Sequence, residues 1–295
     1  GVRRGNRVGI WAPNRLEWLL TQFATARIGA VLVNINPAYK SHELDYALNK
    51  VRCRVLVMAR GHKSNHYLES LRQLAPEIDR PGPVGDLTSL RLPHLKHVIV
   101  LDELGKPARE AAAMPVPIRA LRFSDFMQQA GPAQHARLKG LCEALDPDDA
   151  INIQFTSGTT GQPKGCMHLH RSIMHNVYAG TLWGAGSHEN IALCVVPMFH
   201  ITGIVVLLHT SIFLGATMVI MPRWDRELAG ALISRHRITH WTNIPTMVID
   251  LLGSPNFDRF DLSSLIYIGG GGAGMPQAVA QRLLELYGLS YIEGY

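Results

Sequence analysis

Residues 151–165 read INIQFTSGTTGQPKG, a strand-like run followed by ten residues, seven of them glycine, serine or threonine, with one glutamine, one proline and one lysine. Ile151 to Phe155 has the character of a strand, and Thr156 to Gly165 that of the loop it holds. A polyphosphate crowds negative charges together. A loop that binds one needs backbone N–H groups free to converge, hydroxyl donors, and an ammonium. Gly158 and Gly161 permit the close backbone approach, Thr156, Ser157, Thr159 and Thr160 supply hydroxyls, and Lys164 supplies the point charge. The Walker A pattern fails, because Lys164 follows Pro163 and precedes Gly165 where that loop requires Gly and then Ser or Thr. A flexible Gly/Ser/Thr linker would not carry a lysine between two strand-like segments.

Upstream of this stretch, the hydrophobic period alternates between strand and helix. Arg7 to Trp11 reads as a strand, and Asn14 with Glu17 three residues on reads as a capping box opening a helix. Leu16, Leu19, Leu20, Phe23, Ala26 and Ala30 form the expected buried stripe. Val31 to Ile35 is the next strand, Ser41 is placed to cap a helix carrying Leu44, Ala47 and Leu48, and Arg54 to Met58 is a third strand. Residues 76–93 and 105–117 are punctuated by proline and glycine and read as surface connections, with a strand at His97 to Leu101 between them. Downstream, strands are expected near Ile191, Thr217, Thr239, Leu265 and Ser290. This grammar predicts an α/β protein of parallel sheets flanked by helices, in two stacked lobes, residues 1–150 and 151–295.

Composition bounds the function. With 47% apolar and 18% charged residues the chain is neither disordered nor membrane-like. The net charge of +6 suits an anionic ligand, but the basic residues are scattered without the aromatic interleaving of a nucleic-acid surface, so no nucleic-acid partner is expected. Cys53, Cys142, Cys166 and Cys194 lack any metal or disulfide spacing and read as reduced thiols, giving a cytoplasmic expectation. His168, His170 and His175 have no acid or cysteine beside them to complete a metal site, so none is assigned. The uncharged run Ile191 to Pro222 is interrupted by Pro197, His200, Gly203, His209 and Gly215, so it reads as strand, apolar helix and strand rather than a membrane span, leaving peripheral membrane contact open. The sequence starts without methionine and stops on the strand-like YIEGY, which suggests truncation at both ends.

FTSGTTGQPKG resembles the signature of the acyl-adenylate-forming (AMP-binding) enzymes, and NINPAY, SHELDYAL and PMFHITG look most like the medium- and long-chain fatty acyl-CoA synthetases among them. The resemblance covers essentially the whole chain and implies the large N-terminal domain of such an enzyme, without its C-terminal domain. It implies an acid–thiol ligase that joins a fatty acid to the α-phosphate of ATP, releases pyrophosphate, and transfers the acyl group to CoA, with Mg2+ as cofactor. By resemblance, Thr156 to Lys164 hold the β- and γ-phosphates, with Thr156, Lys164 and His200 serving catalysis. Gly270, Gly271, Gly272 and Ala273, with Gly294 and Tyr295, would hold the adenine. His200, Trp241, Thr242, Asn243, Pro245 and Thr246 would line the acyl site.

Taken without the family, the glycine run Gly269 to Gly274 is a turn before the helix opened by Pro276, and His200 is a core histidine. Two alternatives to fatty-acid activation are adenylation of an aryl or other small acid, and nucleotide binding without turnover. The second follows because the family's magnesium glutamate and C-terminal lysine have no counterpart within these 295 residues. Chain length of the acid and oligomeric state have no signature in the sequence.

Overall fold

The computed structural model describes residues 2–102, 110, 114–156, 161–184 and 186–294. The chain forms two compact units, Gly1–Ile173 and Met174–Tyr295. The first is built on β1 (Arg7–Trp11), β2 (Val31–Asn34), β3 (Val55–Met58), β6 (His97–Val100), β7 (Leu121–Arg122), β8 (Ala150–Thr156) and β9 (Lys164–Leu169). A separate two-residue hairpin pairs β4 (Gly61–His62) with β5 (Asn65–His66). The seven strands lie in the order β7-β6-β3-β1-β2-β8-β9. All pairs are parallel except β8 with β9, which are antiparallel. Every residue of β2 and β3 is buried, as expected for parallel strands covered on both faces.

The boundary expected at 150/151 falls instead between 173 and 174, because β8 pairs with β2 and so joins the first sheet. Strand pairing over a long sequence separation outweighs chain order, and composition carries no record of it.

The helix after β1, α1 (Leu16–Arg27), also departs from expectation. It turns Trp18, Thr21, Gln22, Thr25 and Ala26 inward, leaving Leu16 57% and Leu20 37% exposed. Trp18 is the largest apolar surface on the helix, and its indole N–H donates to Asn34 Oδ1 at 3.2 Å. Thr21 and Thr25 donate their hydroxyls to the carbonyls of Glu17 and Thr21, at 2.6 and 2.8 Å, so both can be buried satisfied. Nor does Asn14 cap the helix: the cap position is Arg15, and Glu17 binds the Arg15 guanidinium, with a contact of 2.7 Å from Arg15 Nε. At the start of α2 (Ser41–Lys50) the Glu43 carboxylate accepts from the Lys40 N–H at 3.0 Å, while Ser41 donates to Gln73 at 2.7 Å. Two helices, Phe123–Met127 and Pro132–Glu143, bury none of their residues, which is why no apolar period marks them in the sequence.

The second unit holds five parallel strands, β10 (Ile191–Cys194), β11 (Thr217–Ile220), β12 (His240–Asn243), β13 (Tyr267–Gly270) and β14 (Ile292–Glu293), in the order β11-β10-β12-β13-β14. Its core gathers Leu193, Trp241, Ile268, Ile233, Leu251 and Leu283. The uncharged run resolves into β10, a π-helix over Thr202–His209 continuing into an α-helix over Thr210–Leu214, and β11, as its interruptions suggested. Among the described residues no helix is long and apolar enough to cross a membrane. β11 and β12 flank β10 on opposite sides, so the chain reverses its direction of travel across the sheet at β10. Such a switch point opens a crevice beyond the carboxyl ends of the strands, where open α/β sheets bind their ligands.

Candidate nucleotide site

The phosphate-loop residues belong to the first unit, where β8 and β9 form a hairpin in register Thr156 to Lys164 and Phe155 to Gly165. Residues directly opposite in an antiparallel pair project from the same face. Thr156 and Lys164 therefore flank the two ends of the loop from one side, and both are exposed. Gly161 has φ +111, a conformation closed to residues with a side chain. Ser157, Gly158, Thr159 and Thr160 lie outside the described residues. On the loop's downstream side, the Pro163 carbonyl accepts a hydrogen bond of 3.1 Å from the Tyr46 hydroxyl on α2.

The glycine segment belongs to the second unit and sits at the carboxyl end of β13. A Cβ on Gly269 would stand 2.5 Å from the Ile292 carbonyl oxygen, one on Gly270 would overlap the Asn243 carbonyl, and one on Gly271 would overlap the Gly294 carbonyl. Gly272 has φ +89. Here the backbones of β12 and β14 themselves exclude side chains from β13. The consequence is a flat backbone surface, and beside it lies a cavity of about 410 Å³ lined by Gly271, Gly272, Ala273, Gly274, Glu293 and Gly294. A planar base fits against such a surface, since nothing projects from it. At Gly274, by contrast, a Cβ would meet nothing within 4 Å.

Two polar contacts fix the rim of this cavity. Glu293 accepts the Met275 N–H at 2.6 Å, tying β14 to the turn after β13, and Tyr291 donates its hydroxyl to Asn243 Oδ1 at 3.0 Å, joining β14 to β12 across β13. Burial, with the Glu293 charge nearby, pushes the Tyr291 phenol up to about 12, so it remains a donor throughout the neutral range. Glu293 belongs to the sequence segment Glu293-Gly294-Tyr295 but was given no role there, although its place just before Gly294 is the signal that could have assigned one. Tyr295 lies outside the described residues.

His200 lies beyond the carboxyl end of β10, in a turn closed by its own N–H donating to the Pro197 carbonyl at 3.0 Å. Gly203 is required there, because a Cβ would overlap that same carbonyl. The Thr202 N–H donates to His200 Nδ1 at 3.3 Å. A backbone N–H can only donate, so Nδ1 holds the lone pair and a neutral ring carries its proton on Nε2. Desolvation by the surrounding protein lowers the His200 pKa below the ordinary histidine value, which favours that neutral form.

Of the expected acyl-site residues, Trp241 does not stand on an open wall. It is 1% exposed, stacked on Trp224 at a ring separation of 5.9 Å within the core. Alternation along β12 explains this, since a residue facing the helical layer cannot also face the opposite side. Thr242, Asn243 and Pro245 are buried and Thr246 is exposed, at and beyond the carboxyl end of β12. His168 lies in β9 and His170 and His175 in the helix His170–Trp183. Among the described residues no three His, Cys, Asp or Glu side chains come together to hold a metal.

The family model AMP-binding enzyme matches residues 1–295, which include both the glycine edge of β13 and the loop between β8 and β9. The chain belongs to the AMP-binding enzyme family. It is 39% identical, over 98% of its length, to the protein named medium-chain acyl-CoA ligase ACSF2, mitochondrial, of Danio rerio, and covers 46% of that relative. It is 33% identical, over 99% of its length, to the putative acyl-CoA synthetase YngI of Bacillus subtilis (strain 168), covering 51% of it. The chain thus spans about half the length of the curated relatives it matches. Among solved structures, the anthranilate CoA ligase AuaEII in complex with anthranoyl-AMP is 25% identical with a TM-score of 0.74, over 100% of this chain and 51% of that one. The N-terminal domain of FACL13 from Mycobacterium tuberculosis, 21% identical with a TM-score of 0.70 over 100% of this chain and 63% of that one, shares the fold.

Proposed function

We propose that the protein containing this chain activates a medium-chain fatty acid with ATP and passes the acyl group to CoA. The observation that carries the reading is the side-chain-free edge of β13, where Gly270 to Gly272 leave a flat surface on the cavity for an adenine ring. The carboxylate oxygen of the acid attacks the α-phosphorus as the bond to pyrophosphate breaks. The CoA sulfur then attacks the acyl carbon, and AMP leaves with its bonding electrons. Both partners of the first step are anionic, so this chain's contribution is placement and charge: Lys164 and the hydroxyl of Thr156 at the ends of the phosphate loop, and His200 offering a neutral Nε2–H toward the acyl carboxylate. A magnesium ion, where bound, neutralises charge on the phosphates; among the described residues no cluster would hold it independently of the nucleotide.

The medium-chain preference draws on the vertebrate relatives named medium-chain acyl-CoA ligase, with identities of 39% for the Danio rerio protein and 35% for the Homo sapiens protein. A second reading, an aryl acid, is favoured by the likeness to the anthranilate CoA ligase. The four free cysteines suit a reducing compartment, which the cytoplasm and the mitochondrial interior of the named vertebrate relatives both supply. Exchange of labelled pyrophosphate into ATP by the complete gene product, with octanoate, decanoate, palmitate, benzoate and anthranilate in turn, tests the reading. Exchange strongest with octanoate or decanoate is expected. Preference for benzoate or anthranilate would establish the aryl reading, and no exchange with any acid would remove the enzyme reading altogether.

A further inference from the structure

The loop-side half of β9 is poorly supported. β9 is the edge strand of its sheet, and Lys164 to Met167 are all exposed, with Met167 at 69%. On one side it has the β8 ladder, which ends with the pair Thr156 and Lys164. Immediately before that last pair comes Pro163, which has no N–H to give to any ladder. Its carbonyl adds a second tie at the loop's downstream end, and the partner comes from 117 residues away, the Tyr46 hydroxyl at 3.1 Å.

Tyr46 is well placed to act as a fixed post. Its helix α2 is locked in rotation by Leu44, Ala47 and Leu48, which are 0, 0 and 2% exposed. Its start is capped by Glu43, and Asp45 next door is held by the Arg91 guanidinium at 2.8 and 3.0 Å. A hydroxyl on such a helix can hold a loop end with little ordering cost left to meet when ligand arrives.

We infer that Tyr46 is a positioning residue for the phosphate loop, fixing Pro163, and with it Lys164, so that the ammonium meets the nucleotide phosphates. This rests on the reading of the loop as an ATP site. The effect of Tyr46 would pass through the Pro163 carbonyl.

The test uses Tyr46→Phe in the complete gene product, which keeps the ring and removes the hydroxyl, with Asp45→Asn as a control that disturbs the same helix but spares the tether. Loss of one net hydrogen bond should speed tryptic cleavage at Lys164–Gly165 about fivefold and raise KM for ATP by about the same factor. KM for the acid and kcat at saturating ATP should stay within about twofold, a split that general loss of structure would not give. Asp45→Asn should leave cleavage unchanged. Unaltered cleavage in Tyr46→Phe would overturn the tether, and faster cleavage with unaltered KM for ATP would overturn its role in positioning. Failure of the ATP-site reading shows separately, as absence of ATP protection against cleavage in the unsubstituted protein; the tether itself is then decided by the cleavage rates.

Discussion

The glycine edge of β13 and the hairpin that carries the phosphate loop are both rich in small residues, yet they are small for opposite reasons. At β13, glycine is imposed from below: the carbonyls of Ile292, Asn243 and Gly294 occupy the space a Cβ would need. The flat surface is a by-product of three backbones lying close together, and it exists before any ligand arrives. In the β8–β9 hairpin, Thr156 and Lys164 are exposed and a Cβ on Gly161 would meet nothing within 4 Å. There the glycine at 161 answers to its own backbone conformation, and the space around it is open, while Gly165 on β9 lies close to Ile153 of β8. At β13 neighbouring backbone occupies the space, whereas Thr156 and Lys164 face solvent, so substitutions should separate stability from affinity.

The sharpest break is Gly270→Ala. Its methyl group would collide with the Asn243 carbonyl, a backbone atom that cannot move without opening β12 from β13. A loss of about 3 kcal/mol or more in unfolding free energy is expected, read by denaturant titration. Gly274→Ala, with open space around its Cβ, should leave stability within about 0.5 kcal/mol. Equal effects at the two positions would show that glycine at 270 answers to the ligand and not to the sheet.

Lys164→Ala tests the other region. The side chain is exposed, so unfolding should shift by no more than about 0.5 kcal/mol. Loss of a charge-assisted hydrogen bond to phosphate should weaken ATP binding by about 10- to 100-fold, measured calorimetrically. Unchanged ATP affinity would remove Lys164 from the site. The smallest effect is expected from Tyr291→Phe, which deletes the bridge to Asn243 across β13 and should cost about 1 kcal/mol of stability with no direct change at the hairpin. A larger fall in ATP affinity than in stability would place that hydroxyl against the ligand rather than under it.

Much of this was legible in the residues. The β-branched runs Val31–Asn34, Val55–Met58 and Thr217–Ile220 became strands within a residue or so of expectation, because buried parallel strands have little freedom in composition. The face of α1 was misread because a count of leucines ignores shape: Trp18 with its partner Asn34 displaced Leu16 and Leu20. Trp241 packs into the core for a related reason, since a strand's two faces are equivalent in sequence until the helical layer is in position.

The sequence by itself determined the alternation of strand and helix, the hydroxyl-rich stretch 156–165 that departs from the Walker pattern, and the glycine run, because each depends on near neighbours along the chain. Tertiary structure alone decided that β8 belongs to the first sheet, that β14 packs close enough to β13 to forbid side chains, and that Tyr46 reaches Pro163. Those are pairings between distant segments, selected by the free energy of the whole fold, and no local pattern of residues encodes which distant carbonyl a side chain will meet.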